Sequence, residues 1–329
     1  MEGTKNMNLS KLAQLANVSV STVSKALSDS PEISEATKKH IVEIAKANGC
    51  YEKYYKPKYP HKLIAVICPE ILGNHYGKMA TYMEKEISEY DGTMVLSVSD
   101  FSASKQVELI EYYTKYAHAD GIIVIEPAAK IKNATEVPIV QIGFENESRN
   151  ADCVKAEIGP AMDEAVRYLR GLGHKKIGFI GEELARPEQD AFIKAMKRTY
   201  IPVENGHVII SQKRFEDAGY QAMDEMLKTG NLPSVIFAAY SHIALGILQR
   251  LSEESIRVPE DISLICMDDI LPIPYSDREL SCIRMHLDEL SATAIDLLYQ
   301  KIRRSYVKTK HSVSVIRQFS PGETIGRAQ

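Results

Sequence analysis

The residues with the clearest capacity for chemistry lie near the start of the chain. Between positions 19 and 28 hydroxyls crowd one short segment: Ser19, Ser21, Thr22, Ser24 and Ser28, with Lys25 among them. On one helix such side chains can bond phosphate oxygens or base edges, and the free N–H groups at the helix start can hold a phosphate. Lys25 can reach guanine acceptors, though as a point charge without the fork of an arginine. Val20 can meet a thymine methyl. Taken singly, a Ser or Thr near a helix start is usually a cap. The grouping is what points to DNA.

Three short helices would position these residues. Leu9, Leu12, Ala13 and Ala16 recur at helical spacing and give a first helix one apolar face. Asn17-Val18 makes a turn, and Ser19 can cap the second helix. There Val23 and Leu27, four apart, point inward, leaving Val20, Ser21, Thr22, Ser24 and Lys25 on the outer faces. Pro31 and Ser34 start a third helix, on which Ile41, Ile44 and Ala45 face the core. Thr37 and Lys38, near its start, suit phosphate contact. Asn48-Gly49 stops it. A head of this kind places its second helix in the major groove.

The charge distribution supports that reading. Net charge is −4, yet residues 1–62 hold ten Lys and no Arg against six acidic residues, so the head is +4 and the remainder −8. A basic head on an acidic body is expected when only the head meets phosphate. The five cysteines, Cys50, Cys68, Cys153, Cys266 and Cys282, form no C-x-x-C pair and read as reduced, buried thiols. No apolar run approaches the roughly 20 residues of a membrane helix. The opening MEGTKNMN has neither an apolar core nor a cleavage pattern, so a cytoplasmic protein is expected.

After the head, residues 51–62 (YEKYYKPKYPHK) are rich in Tyr and Lys, hold Pro57 and Pro60, and read as a linker. Beyond it, strand-like runs alternate with helical patterns. The runs are Leu63–Cys68, Thr93–Val98, Gly121–Ile125, Ile139–Ile142, Lys176–Ile180, Val208–Ile210, Val235–Ala238 and Ile262–Cys266. Helical patterns include Lys78–Tyr90, Ser104–Tyr116, Pro160–Leu172, Asp190–Arg198, Phe215–Lys228 and Ile243–Ser252. Continuous apolar strands separated by helices mean parallel sheets buried on both faces. So long a stretch exceeds one core, and two α/β subdomains are expected.

At this point a resemblance is clear. Val18-Ser19-Val20-Ser21-Thr22-Val23-Ser24-Lys25-Ala26-Leu27 resembles the V-S-x-x-T-V-S-[RK]-x-L run of the lac repressor/galactose repressor family. The body is similar to it as well. Ala119-Asp120-Gly121-Ile122-Ile123 resembles V-D-G-I-I, and the segment Gly173 to Gly181 resembles G-H-x-x-I-x-x-I-G. Val258-Pro259-Glu260-Asp261-Ile262-Ser263 with Met267-Asp268-Asp269 resembles V-P-x-D-I-S…F-D-D. The resemblance implies a small all-α helix-turn-helix domain over 1–50, a hinge over 51–62, and an α/β domain of two doubly wound parallel-sheet subdomains over 63–329. That domain would be periplasmic-binding-protein-like, with subdomain 1 at about 63–158 and 287–318 and subdomain 2 at about 159–286 and 319–329. It also implies a repressor, a homodimer on a near-palindromic double-stranded DNA operator, and a sugar or sugar derivative bound between subdomains. No cofactor and no metal are implied.

The family's base-reading positions fall on Val20, Ser21 and Lys25. Two regions depart from its pattern. The hinge of many relatives carries a leucine that wedges into the minor groove, and such wedging unstacks a base step. Here Glu52, Lys53, Lys56, Pro57 and Tyr59 stand at the corresponding positions, and Pro57 opposes a regular helix. Phosphate tracking and a plain tether both remain open. In the cleft, Glu188 sits where the family often has Arg, with Arg186 two residues earlier as a substitute, and Ser241 replaces an Asp. The remaining cleft candidates follow strand ends: Asn74, His75, Tyr76, Asp100, Phe144, Glu157 and Asp268. Asp268 or Asp269 can equally cap the next segment. A free-standing solute-binding protein would share the body but not the basic head. An enzyme is disfavoured by the lack of a P-loop, a G-x-S-x-G or a G-x-G-x-x-G after a strand, and of metal-ligand spacing.

Overall fold

The structure, a computed structural model, describes residues 7–30, 32–55, 61–128, 137–143, 151–268, 278–303 and 310–328. It divides into two units, Met1–Lys62 and Leu63–Gln329.

The first unit holds helices α1 (Leu9–Leu15), α2 (Val20–Leu27), α3 (Glu35–Ala47) and α4 (Tyr51–Tyr54). Each of the first three starts on a side-chain cap. Asn8 Oδ1 accepts from the Lys11 N–H, Ser19 Oγ from Thr22 and Ser34 Oγ from Thr37, at 2.9, 3.0 and 3.3 Å. Such caps satisfy N–H groups that the helix itself cannot. Asn17 turns the chain in the left-handed region, φ +54, as Asn tolerates. Leu12, Val23, Leu27, Ile41 and Ala45 form the core. The expected linker begins differently from its reading, because residues 51–54 make a helical turn. Tyr51 and Tyr54 pack against the core, and Tyr54 Oη donates to the Met7 carbonyl at 2.9 Å. Aromatic area gained by that packing outweighs the missing hydrophobic period. The wedge question falls on Lys56, Pro57 and Tyr59, which lie outside the described residues.

The second unit runs β1 (Lys62–Cys68), α5 (Asn74–Glu89), β2 (Gly92–Val98), α6 (Ala103–Lys115), β3 (Gly121–Ile125), β4 (Ile139–Ile142), β5 (Asp152–Glu157), α7 (Gly159–Gly171), β6 (Ile177–Glu182) and α8 (Arg186–Arg198). It continues with β7 (Val208–Ser211), α9 (Phe215–Thr229), β8 (Val235–Ala238), α10 (Ser241–Glu253), β9 (Ser263–Cys266), β10 (Ser281–Arg284), α11 (Leu287–Arg303), β11 (Ser312–Ile316) and β12 (Gln318–Ser320). One six-stranded sheet has the order β11-β5-β4-β3-β1-β2, the other β12-β10-β9-β8-β6-β7. The chain therefore passes between sheets three times: after β5, after β10, and at Arg317 between β11 and β12.

Parallel pairing dominates, as in β1/β3, β3/β4, β6/β8 and β8/β9, while β10/β12 is antiparallel. Each sheet has its own core. In the second, Phe179, Phe192 and Phe237 pack with ring centroids 5.5 Å apart. In the first, Met79, Met83, Ile87 and Leu298 pack on β1 and β3. Parallel strands aim their C-terminal ends one way, so the loops after β1, β2, β3, β6, β7, β8 and β9 gather in one place. Among the described residues no helix is long and apolar enough to cross a membrane.

Candidate functional site

On the head, Ser19, Val20, Ser21 and Ser24 are exposed, and Thr22, Lys25, Ser28, Thr37 and Lys38 are half-buried. Val20 keeps 43% of its surface open, high for an aliphatic residue on a packed helix. Five hydroxyls have local work. Ser19 Oγ and Thr22 Oγ1 lie 2.8 Å apart, as do Ser34 Oγ and Thr37 Oγ1, and Ser28 Oγ donates to the Lys25 carbonyl. Lys25 pairs with Glu32. Lys38, expected at phosphate, is instead held inside the head. Its ammonium bonds Asp29 at 2.7 Å and Glu35 at 2.8 Å, and these acids, Asp29 first, push its pKa above the ordinary lysine value. Two carboxylates around one ammonium weaken its pull on a phosphate and tie Lys38 to the head.

In the body, the gathered loops enclose a cavity of about 400 Å³. Every strand-end loop contributes: Glu70 after β1, Phe101 after β2, Glu126 after β3, Glu183 after β6, Arg214 after β7, Tyr240 after β8 and Asp268 after β9. The first turns of α5 and α8 add His75, Tyr76 and Glu188. The walls are thus aromatic and apolar, with a few convergent charged groups, which is the usual composition of a small-molecule site.

The charges are tightly arranged. Arg214 donates to both oxygens of Glu70, at 2.9 and 3.1 Å, and approaches Glu182 at 3.4 Å. Its guanidinium also lies over the rings of Phe101 and Phe215, 5.4 and 4.5 Å from their centroids. Glu70 and its neighbours hold the Arg214 pKa above the ordinary arginine value. Arg317, only 6% exposed, donates to Glu188 at 3.1 Å, and its Nε has no hydrogen-bond partner among the described residues. Burial pushes the Glu126 carboxyl up to about 8; the like charge of Glu188 adds to this and Arg317 opposes it. Burial, helped by Arg317, pulls His75 down to about 4, so its ring is neutral at physiological pH. The phenols of Tyr76 and Tyr240 are raised by burial. Asp268 Oδ1 accepts the Ser241 N–H at 3.0 Å and so anchors the start of α10.

Three lining residues, Phe101, Glu126 and Phe215, have φ between +46 and +56. Bulky side chains rarely adopt that region, and strain of this kind gathers at functional sites.

The cavity brings together Asn74, His75, Tyr76, Arg186, Glu188, Ser241 and Asp268 from the expected set. It does not include Asp100 or Glu157. Asp100 is exposed, with its N–H bonded to the Pro69 carbonyl, and its neighbour Phe101 faces the cavity in its place. Glu157 ends β5 on the surface, where its backbone carbonyl takes the Arg317 N–H. Arg186 stands at the rim, 67% exposed and paired with Glu183, so the guanidinium beside Glu188 is that of Arg317. Asp268 accepts the Ser241 N–H at the start of α10; the segment after it, with Asp269, and Phe144 lie outside the described residues. Sequence reading passed over Glu70, Glu126, Arg214, Tyr240 and Arg317. The strand-end rule marks the first four, whereas nothing local marks Arg317.

Two family models match the chain. Residues 8–50 fit bacterial regulatory proteins of the lacI family, and residues 166–325 fit the periplasmic binding protein-like domain. The HTH-type transcriptional repressor PurR of Escherichia coli O1:K1 / APEC is 28% identical over 313 residues, covering 88% of this chain and 89% of its own. Among solved structures, the lac repressor dimer bound to operator and the anti-inducer ONPF has a TM-score of 0.69 at 18% identity, covering 97% of this chain and 99% of its own. The CelR–cellobiose complex has a TM-score of 0.68 at 19% identity, covering 97% and 100%. The chain thus carries a lacI-family helix-turn-helix domain followed by a periplasmic-binding-protein-like domain, and the relatives it matches are LacI/GalR-type regulators.

Proposed function

We propose that this chain is a transcriptional repressor that acts as a homodimer on a near-palindromic double-stranded operator, under control of a small sugar-like molecule held in the body's cavity. The observation that carries the reading is the pairing, on one chain, of an exposed recognition face (Val20, Ser21, Ser24) with an enclosed cavity of about 400 Å³. That volume suits a mono- or disaccharide-sized ligand. Charged groups converging among Tyr76, Phe101, Phe215 and Tyr240 suit a molecule with hydroxyls at its edge and C–H groups on its faces. Two heads related by two-fold symmetry favour a two-fold symmetric site. The relatives support the reading, one being a repressor and another a complex with cellobiose.

The test uses the full chain. Selection from random double-stranded DNA should enrich a near-palindrome, and its affinity should change at least tenfold when a sugar from a broad panel is added. A selection that returns no common sequence would refute the DNA half. A cavity ligand that leaves operator affinity unchanged would refute the control half.

A further inference from the structure

Among the described residues the cavity lining holds more acid than base, and one acid has no partner there. Glu70, Glu126, Glu182, Glu183, Glu188 and Asp268 line it against Arg186, Arg214 and Arg317. All three guanidiniums are engaged, Arg186 by Glu183, Arg214 by Glu70 and Glu182, and Arg317 by Glu188. Asp268 is engaged by the Ser241 N–H. The Glu126 carboxyl makes neither a hydrogen bond nor an ion pair among the described residues.

The backbone fixes that unpaired acid in place. Glu126 sits at φ +46, a conformation a glutamate does not prefer. Gln106, 1% exposed, clamps the loop from below: its Nε2 donates to the Glu126 carbonyl at 3.0 Å, and its Oε1 accepts the Ala128 N–H at 2.8 Å. Gly143, at the end of the neighbouring strand, leaves the space the carboxyl uses. A Cβ there would come within 2.8 Å of Glu126 Oε2.

We propose that the ligand of this cavity is a hydroxylated molecule carrying a protonated amine, an amino sugar or close analogue, whose ammonium docks on the Glu126 carboxylate. The inference rests on the effector reading above and narrows its ligand class. Among the described residues, an acidic sugar would enter an excess of negative charge, where each guanidinium already has a carboxylate partner. A neutral sugar meets the Glu126 carboxyl through hydrogen bonds alone. An ammonium adds an ion pair with its carboxylate, and in a buried site an opposite charge is worth far more than in water.

Glu188 on α8 and Arg317 at the strand crossing act on the Glu126 charge, Tyr76 on α5 lies near it, and His75 and Glu70 line the same cavity. His75 is neutral above about pH 4, and Arg317 is paired with Glu188. In the empty cavity the Glu126 carboxyl, raised to about 8, is therefore mostly protonated at pH 7. An incoming ammonium takes the place of that proton, which leaves to buffer. Below both the carboxyl pKa and that of the ligand's own ammonium, binding should release about one proton and affinity should rise almost tenfold per pH unit.

The full chain is titrated with matched neutral, 2-amino, N-acetylamino and uronic acid forms of gluco, galacto and manno hexoses. Thermal shift is read at pH 6.5, 7.0, 7.5 and 8.0, followed by calorimetry in two buffers of different ionisation heat. An amino member should bind at least tenfold tighter than its neutral and N-acetylated partners, with proton release. Glu126→Gln should melt unchanged at pH 6.5 without ligand, yet lose both the amine preference and the proton release. A neutral or uronic member that binds as tightly as its amine would overturn the proposal. So would an amine preference that survives in Glu126→Gln, or no protection by any amino member. The wider cleft reading has its own readout: a neutral sugar that protects the parent chain but not Arg317→Met keeps it standing even when the amine proposal fails.

Discussion

Replacing Glu32 by Gln should tighten DNA binding. In the free head the Lys25 ammonium is paired with the Glu32 carboxylate. For Lys25 to donate to a guanine acceptor, that pair must open or share its proton donors. The two side chains are 45% and 65% exposed, so the pair sits in a high dielectric. Exposed pairs of this kind are worth about 0.2–1 kcal/mol. Releasing Lys25 from it should therefore raise operator affinity by about 1.4- to 5-fold, since about 1.4 kcal/mol is a factor of ten. Losing one negative charge near the phosphate backbone adds a smaller gain for any sequence.

Lys25→Ala works in the opposite direction and costs about 1–3 kcal/mol if it reads a base. The pair of substitutions forms a double-mutant cycle. In the Lys25→Ala background, Glu32→Gln should retain only the sequence-independent gain. Fluorescence anisotropy at 50, 100 and 200 mM salt, on the selected operator and on a random duplex of equal length, separates the two. A Glu32→Gln protein that binds the operator more weakly would refute the reasoning. So would an operator gain of equal size with and without Lys25, because then Lys25 is only a partner for Glu32.

Lys38→Ala should lower the thermal stability of the head and weaken operator and random DNA alike only through that loss, because Asp29 and Glu35 already occupy its ammonium. Unchanged melting together with a reduced salt slope would restore Lys38 as a phosphate contact. Stability should also carry a pH signature. The fold keeps His75 neutral, with its pKa lowered from 6.5 to about 4, so its contribution grows as pH rises from about 4 to 6.5. Glu126, raised from 4.5 to about 8, acts in the other sense, and its contribution is lost as pH rises toward 8. Above pH 6.5 only Glu126 of the two still titrates, so the ligand-free melting temperature should fall from pH 6.5 to 8, and Glu126→Gln should flatten the fall. An equal slope in both proteins would contradict this. Gly219→Ala should be severe: its Cβ would stand 2.0 Å from the Ile243 carbonyl oxygen, and a Cβ on Gly246 would stand equally close to the Glu216 oxygen. Here α9 and α10 touch backbone to backbone, so the cost should reach the upper end of the ~1–3 kcal/mol typical of overpacking. Calorimetric melting within experimental error of the parent would show that the helices can separate freely.

The body's strands could be read where both faces are buried. Gly121–Ile125, Ile139–Ile142 and Val235–Ala238 have their expected limits because nothing polar interrupts them. No apolar run announced β5, β10, β11 or β12. Asp152 and Lys155 interrupt β5, β11 alternates Ser with Val, and β12 is three residues long. The helix starts differ in a more instructive way. Apolar periodicity opens two helices at Lys78 and Asp190, whereas they begin at Asn74 and Arg186. Apolar periodicity is a signal of core contact. The first turns of α5 and α8 face the cavity, so they carry no such signal. His75, Tyr76 and Glu188 sit in those turns, and the residues that form the site are thus the ones periodicity cannot register.

The same limit governs the charges. Along the chain, Glu188 and Ser241 look like two losses, an arginine reversed and an aspartate removed. In space, both charges return from other elements. Arg317, 129 residues downstream of Glu188, brings a guanidinium to it from the crossing between the sheets. Asp268 brings a carboxylate to the Ser241 N–H from the end of β9. What must balance in a desolvated cleft is the sum of charges and hydrogen bonds across all of its walls, whichever strand supplies each one. A motif read residue by residue cannot report that sum. It therefore misses the Glu126 carboxyl, which has no partner among the described residues, although its place immediately after the all-buried strand Gly121–Ile125 marks it as a strand-end residue lining the cavity. The chemical identity of the ligand is written in that carboxyl more than in any single departure from the family pattern.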